Sequence, residues 1–183
     1  RERPALVAAA GGAEPGWGRA ALMVSRDDGA TWDEAGRTAA PAVMGWATAT
    51  LPESGSALMD ARNCIEIQLL NDGMWLEGRG DEALVDGANL ALLGDELIQF
   101  GSAEPLGEGR FRLSRLLRGR RGSEWASTMH RAGEAFILID RHSLAPLQVS
   151  TAMMGAELHL MASGLGDEEP VSTCRTVSGE SLR

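Results

Sequence analysis

The feature that most constrains the fold of this chain is a pair of short apolar segments joined by a two-residue turn. Residues 89–93 and 96–100 are separated only by Gly94 and Asp95. A connection of this length and composition favours the tight turns whose twist matches two paired antiparallel strands. The sequence therefore predicts a β-hairpin at this position.

A second strand signal follows a proline- and glycine-rich reversal at residues 105–109. Across residues 110–114, Phe111 and Leu113 point to one side, while two arginines and a serine point to the other. This period of two is typical of a half-buried antiparallel strand. The alternation breaks at Arg115, which predicts either a β-bulge or the end of the strand.

Similar short segments recur at a spacing of roughly ten residues, separated by Gly, Pro and Asn-Asp-Gly turns. Strands are predicted at residues 4–10 (where a short helix is the alternative), 19–24, 42–51, 64–70, 135–140, 144–149 and 157–162, and short helical turns at 81–86 and 123–130. This succession predicts an all-β fold, an antiparallel sandwich or barrel of short strands with at most one or two helical turns.

The chain length of 183 residues suffices for one domain with its own core. We expect a compact β domain over residues 1–166, with two packed lobes, 1–60 and 61–166, as the alternative. Residues 167–183 are acidic and polar, which predicts a linker to a following domain. The first residue is Arg rather than Met, so we expect a piece of a longer polypeptide whose other parts could carry an activity.

Composition excludes several classes of partner and cofactor. The net charge is −9 and the chain has no lysine, which argues against nucleic acid as a partner. No apolar run approaches the roughly 20 residues of a membrane span. Cys64 and Cys174 are expected to be two free thiols. The three histidines, His130, His142 and His159, lack the spacing of a metal site, and no cofactor is expected.

Residues 25–32 match the Asp-box pattern S-x-D-x-G-x-T-W, a hairpin turn found in sialidases and many other β proteins. Asp27 is expected to accept backbone N–H groups across the turn, and Gly29 to supply a positive φ. Trp32 is expected to pack beneath the hairpin. A sugar-processing propeller would need several copies, so the single copy indicates a structural turn.

Six arginines lie between residues 110 and 121 of this acidic chain. They are Arg110, Arg112, Arg115, Arg118, Arg120 and Arg121. One interpretation is an anion-facing patch, because guanidinium groups pair bidentately with phosphates and carboxylates. The other is a solvated strand face that pairs with carboxylates of the same chain, such as Asp95, Glu96, Glu104 and Glu108.

No catalytic residue is predicted. Carboxylates that could serve a glycoside hydrolase are Glu77, Asp81, Glu82, Asp95, Glu96 and Glu134, and no pattern ranks them. Asp95 and Glu96 should diverge to opposite faces of the hairpin. Ser123 and Ser127 lie near His130 but lack a nucleophile-elbow pattern. His130 is expected to be neutral and to bond the arginine-glycine loop or a backbone carbonyl.

An ordered series of motifs runs from Gly94 to Glu134: G-D-E, an aromatic residue, a glycine-rich turn, L-x-x-L-x-R-G-R-x-G and H-x-x-G-E. The series resembles phage tail-tip and baseplate hub proteins, most closely the C-terminal part of the large multidomain baseplate protein of gene transfer agents and related siphophages. Residues 25–45 and 178–183 resemble it more loosely.

The resemblance implies a structural module of the tail-tip or baseplate hub that serves assembly and could contact the host surface. It implies other tail proteins and neighbouring domains of the same chain as partners, a homotrimer in the full assembly, and a location at the virion tail tip after synthesis in the bacterial cytoplasm. The residue patterns above predict no enzyme in this part of the protein. Candidate interface residues are the six arginines and His130, and candidate anchors are Trp17, Trp46, Trp75 and Trp125.

Two alternatives remain. A carbohydrate-binding β module would use exposed tryptophans to stack on a cell-surface glycan and arginines to bind acidic sugars. Part of a cell-wall glycan hydrolase would place clustered carboxylates in a concave pocket.

Overall fold

The computed structural model describes residues 5–148, 153, 155–164 and 172–176. The all-β prediction is confirmed, with antiparallel strands, one short helix and two 3₁₀ turns. The strands are β1 Ala5–Ala9, β2 Ala21–Ser25, β3 Asp33–Arg37, β4 Met44–Ala47, β5 Ile65–Leu69, β6 Leu90–Leu93, β7 Glu96–Gly107, β8 Arg110–Leu117, β9 Ala135–Leu138, β10 Leu144–Gln148, β11 Glu157–Ser163 and β12 Ser172–Thr176. Helix α1 is Asp81–Val85, and the 3₁₀ turns are Arg120–Gly122 and Glu124–Ala126.

The described residues form two compact units. The first draws on residues 5–10 and 17–41 and on the described residues from 141 onward, and the second on 11–16 and 42–140. This division differs from sequential lobes 1–60 and 61–166, because residues 42–60 belong with the second unit and the chain re-enters the first after Asp140. Strand β12 lies within the expected linker 167–183, whose remaining residues lie outside the described part of the chain.

The first unit holds a pair, β1–β10, and a sheet in the order β12–β11–β2–β3. Its buried core contains Leu22, Val24, Leu147 and Leu158. The Asp-box joins β2 to β3, as predicted. Asp27 accepts the backbone N–H and the hydroxyl of Thr31 at 2.8 and 2.6 Å. The hydrogen bonds from Thr31 lower the pKa of Asp27 to about 2.

The second unit, termed the barrel unit, is a closed antiparallel barrel in the order β4–β5–β8–β7–β6–β9. Its interior is filled by apolar side chains that alternate inward, as small barrels require. The buried set includes Ile65, Ile67, Leu69, Leu93, Ile98, Phe100, Phe111, Leu113, Leu116 and Phe136. Alternation in β5 is regular, with Ile65, Ile67 and Leu69 inside.

The predicted hairpin is confirmed as β6–β7. Leu93 pairs with Glu96 across a turn in which Gly94 has φ 58°. Asp95 is exposed and Glu96 is fully buried, so the two carboxylates diverge as expected.

The prediction of a bulge or strand end at Arg115 is wrong. Strand β8 continues to Leu117, and its register with β7 is the same on both sides of Arg115. Arg115 has φ 55° and packs against Gly101 of β7. In both strands the inward-pointing positions shift by one residue here. The inward pair Phe100–Leu116 is therefore followed by the pair Ala103–Leu113, three residues away in each strand instead of two or four. A matched change in two strands needs no inserted residue.

Antiparallel closure brings six strand termini to one end of the barrel. Strands β4, β6 and β8 end there, and β5, β7 and β9 begin there. This end, termed the Arg118 end, also receives the loop of residues 52–60 through an isolated bridge between Asp60 and Leu116. The polar side chains that meet at this end form the candidate site.

Candidate functional site

The site is centred on a buried ion pair at the Arg118 end. Arg118 follows β8 and Glu96 begins β7, and both side chains have zero exposure. The Arg118 Nε donates to both carboxylate oxygens at 3.0 and 3.1 Å, and Nη2 donates to Glu96 Oε2 at 2.7 Å. The Gly119 N–H donates to Glu96 Oε1 at 2.6 Å. Arg118 Nη1 donates to the Pro52 carbonyl at 2.8 Å.

His130 connects this pair to a second glutamate. Its Nε2 lies 2.5 Å from Glu96 Oε2, and its Nδ1 lies 2.6 Å from Glu134 Oε1. Because both ring nitrogens face carboxylates, both bonds are charge-assisted when each nitrogen carries a proton, so the geometry favours the imidazolium form. The expectation that His130 bonds the arginine-glycine loop or a backbone carbonyl is wrong, because its partners are Glu96 and Glu134. The raised pKa of His130 disfavours the expected neutral form.

The pKa directions agree with this geometry. Burial is the largest single influence on both groups and favours the neutral forms of Glu96 and His130, but the hydrogen bonds and charges of all their partners together outweigh it. The pKa of Glu96 falls below its ordinary value, with help from Arg118 and the Gly119 N–H. The pKa of His130 rises above its ordinary value, with help from Glu134.

Asp60 completes the cluster. Its Oδ2 lies 3.6 Å from Arg118 Nη1, and its carboxylate accepts the backbone N–H groups of Arg62 and Asn63. Burial raises the pKa of Asp60, but the hydrogen bonds from Asn63 and Arg62 lower it further, so the net shift is downward. We call Asp60, Glu96, Arg118, His130 and Glu134 the Arg118 network.

The Arg118 network holds three carboxylates and two cations that satisfy one another. No buried side-chain nitrogen or oxygen among the described residues lacks a hydrogen-bond partner. Both nitrogens of His130 are occupied, and the pKa of Glu96 is lowered rather than raised, whereas a general acid needs a raised pKa. The arrangement can hold the loops at the Arg118 end in place.

The other arginines lie apart from this network. Arg112 pairs with Glu66 at 2.9 Å and with Glu104 at 3.3 Å on the outer face of the barrel. Arg115 pairs with Asp81 of α1. The Nε of Arg120 donates to Gln99 at 2.8 Å. Pairing with the chain's own carboxylates thus holds for Arg112, Arg115 and Arg118, while Arg110 and Arg121 have no ion pair with another described residue.

The candidate tryptophans lie on separate elements. Trp46 lies on β4, Trp75 in the loop after β5 and Trp125 in the second 3₁₀ turn, and all three are exposed. Trp75 contacts Phe111 edge to face, with ring centroids 5.0 Å apart. Trp17 belongs to the first unit and is half-buried.

The remaining thiols and histidines are scattered. Cys64 is exposed just before β5, and the side chain of Cys174 is outside the described part. His159 lies 3.1 Å from Asp28, and His142 is in the first unit. Within the described ranges, no three His, Cys, Asp or Glu residues form a metal-binding group. No helix among those residues has the length and apolar character of a membrane span.

Sequence reasoning missed Asp60 and the joint role of Glu96, His130 and Glu134. One signal was present: the inward positions of β7 are Glu96, Ile98 and Phe100, so a carboxylate occupies an otherwise apolar face. A buried carboxylate requires a partner. Its partners are 22 and 34 residues away, which local patterns do not reveal.

Comparison with known proteins gives one family. The family described as Rcc01698-like, C-terminal, matches residues 42–137, just over half of the chain. The match includes all five residues of the Arg118 network and all but the last residue of the barrel strands. A search of curated proteins finds no match. The chain belongs to the Rcc01698-like, C-terminal family.

Proposed function

We propose that this chain is a structural module of the tail-tip or baseplate hub of a phage-like particle of the gene-transfer-agent type. The observation that carries the proposal is the family match over residues 42–137, because the family name is associated with gene transfer agents. The ordered motif series from Gly94 to Glu134 supports the same assignment.

The geometry of the Arg118 network supports a structural role. The network joins the hairpin β6–β7, the end of β8, the loop at Pro52 and Asp60, and the segment from His130 to Glu134. A buried ion cluster adds little net stability, but it strongly disfavours any arrangement that leaves one charge unpaired. The network therefore selects one arrangement of the loops at the Arg118 end, which suits a part that must fit into a larger assembly.

The surface at the same end supports contacts with other proteins. Leu58, Trp125 and Met129 are large apolar side chains that are more than half exposed. They lie on the loop and the turns that the Arg118 network holds. The proposed partners are other tail proteins and neighbouring domains, in a homotrimer at the tail tip after synthesis in the bacterial cytoplasm. Arg110 and Arg121 remain the arginines suited to ion pairs across an interface.

Electron microscopy of labelled particles tests the proposed location. Gold-labelled antibodies raised against this chain are applied to particles from a producing bacterium, with pre-immune antibodies as the control. We expect gold at the end of the tail distal to the capsid. Gold on the capsid, or antigen found only in the unassembled fraction, would contradict the proposal.

A hydrolysis assay tests the proposed absence of catalysis. The chain and its Glu96→Gln variant are incubated with purified peptidoglycan, and released reducing ends are measured. We expect both proteins to match the buffer control. Release by the unmodified chain above the buffer control would contradict the proposal, and its loss in a Glu96→Gln variant shown to be folded would place the activity in the Arg118 network.

A further inference from the structure

Three side chains form a row across the outer face of the barrel. Trp46 of β4 is paired with Gln68 of β5, and Gln68 is paired with Arg110 of β8. Directly paired residues of antiparallel strands point to the same face of a sheet. Adjacent strands are about 4.8 Å apart, so the row extends over about 10 Å from Trp46 to Arg110. We call these three residues the Trp46 row.

The position of the Trp46 row allows a ligand to reach it. Apolar side chains fill the barrel interior, so a ligand has to bind outside. The outer strand faces of other small barrels bind oligosaccharides. Trp46 is 42% exposed, although it stands in the middle of a paired strand with neighbours on both sides.

Each member of the Trp46 row offers a different interaction. Trp46 supplies a flat apolar ring. The Nε2 of Gln68 donates to the carbonyls of Glu108 and Leu69 at 2.9 and 3.3 Å, which fixes the amide, and no described residue donates to its Oε1. Arg110 is half-buried, and no described residue forms an ion pair with it, which leaves its guanidinium donors for a ligand. The row therefore combines a stacking surface, an acceptor and donors.

The charges around the row favour an uncharged ligand. The adjacent row contains Glu66, Arg112 and Glu104, in which two carboxylates flank one guanidinium. Glu108 is exposed in the turn next to Arg110, and the whole chain carries a charge of −9. An acidic sugar would meet this negative field. An uncharged sugar is not repelled by this field, and its hydroxyl groups both donate and accept hydrogen bonds.

We infer that the Trp46 row binds an uncharged oligosaccharide, with one sugar ring stacked on Trp46 and the next bonded to Gln68 and Arg110. This inference goes beyond the proposed structural role and does not depend on it. It replaces the acidic sugars expected from the arginine-rich sequence, because the structure neutralises Arg112, Arg115 and Arg118 internally.

A glycan array with calorimetry on the hits tests the inference. The 183-residue chain is screened against neutral and uronate-containing oligosaccharides from bacterial surfaces. We expect saturable binding to a neutral oligosaccharide and weaker or no binding to its uronate counterpart. Absence of binding to any neutral oligosaccharide, or preference for uronates, would overturn the inference.

Paired variants locate the binding site. Trp46→Ala is expected to weaken binding about tenfold, and Arg110→Ala to weaken it severalfold. The matched controls Trp125→Ala and Arg121→Ala change an exposed tryptophan and an exposed arginine in the 3₁₀ turns, and should bind normally. Trp46→Phe keeps an aromatic ring, so it replaces Trp46→Ala as the test of stacking if Trp46→Ala does not fold. Equal losses in the Trp46→Ala and Trp125→Ala variants, or no loss in Arg110→Ala together with no loss in a folded Trp46→Ala, would refute the assignment.

Discussion

Replacing Glu96 by Gln should be one of the most destabilising single-atom changes in this chain. The side chain is fully buried, and both of its oxygens accept hydrogen bonds. Oε1 accepts from Arg118 Nε and the Gly119 N–H, while Oε2 accepts from Arg118 Nη2 and His130 Nε2. A glutamine amide has one acceptor atom. In either orientation its NH₂ group must face donors, so the variant retains two unsatisfied contacts.

The size of the stability loss depends on which partners Arg118 and His130 keep in the variant. Removing one partner of a buried ion pair costs about 3–5 kcal/mol. In this variant Arg118 keeps Asp60 and the Pro52 carbonyl, and His130 keeps Glu134. We therefore expect the lower end of that range, about 3 kcal/mol in the free energy of unfolding of the barrel unit.

Urea unfolding followed by tryptophan fluorescence measures this loss, since three of the five tryptophans, Trp46, Trp75 and Trp125, lie in the barrel unit. The matched control is Asp95→Asn, an exposed carboxylate on the same turn, expected to change stability by less than about 0.5 kcal/mol. If Glu96→Gln lowers the free energy of unfolding no more than Asp95→Asn does, the Arg118 network does not hold the barrel end together.

Three further predictions concern pH and backbone conformation. Because the pKa of His130 is raised and that of Glu96 is lowered, the network should stabilise most between their ordinary values of 4.5 and 6.5, weakening as pH rises through the folded pKa of His130. The Tm difference between the unmodified chain and His130→Gln should shrink above pH 6.5, and a constant difference up to pH 10 would contradict the imidazolium. In Gly94→Ala, the new Cβ lies against the Glu134 carboxylate at φ 58°, whereas in the control Gly107→Ala, at φ 88°, it meets no atom. Urea unfolding should show that Gly94→Ala loses about 1–2 kcal/mol more of the free energy of unfolding than Gly107→Ala does. Asp27→Asn should lower the Tm of the first unit at pH 7 and less so near pH 2, where Asp27 itself becomes protonated.

The sequence by itself determined the local elements of this protein. The Gly94-Asp95 turn and the alternation of β5 could be predicted because each depends on neighbouring residues alone. Turn residues and a period of two act over a few positions, so they predict strands and hairpins without knowledge of the partners.

Only the tertiary structure decided how these elements close and what they bury. Strand β4 pairs with β9, which lies about ninety residues further along the chain, and this pairing closes the barrel. Strand β8 continues through Arg115 without a bulge because Gly101 of β7 has no side chain and leaves room for Arg115. Closure also placed Glu96, Arg118 and His130 in one buried cluster, where hydrogen bonds hold the pKa of Glu96 low and that of His130 high in spite of burial. Charge states in such a cluster depend on contacts between distant segments, so no local pattern could predict them.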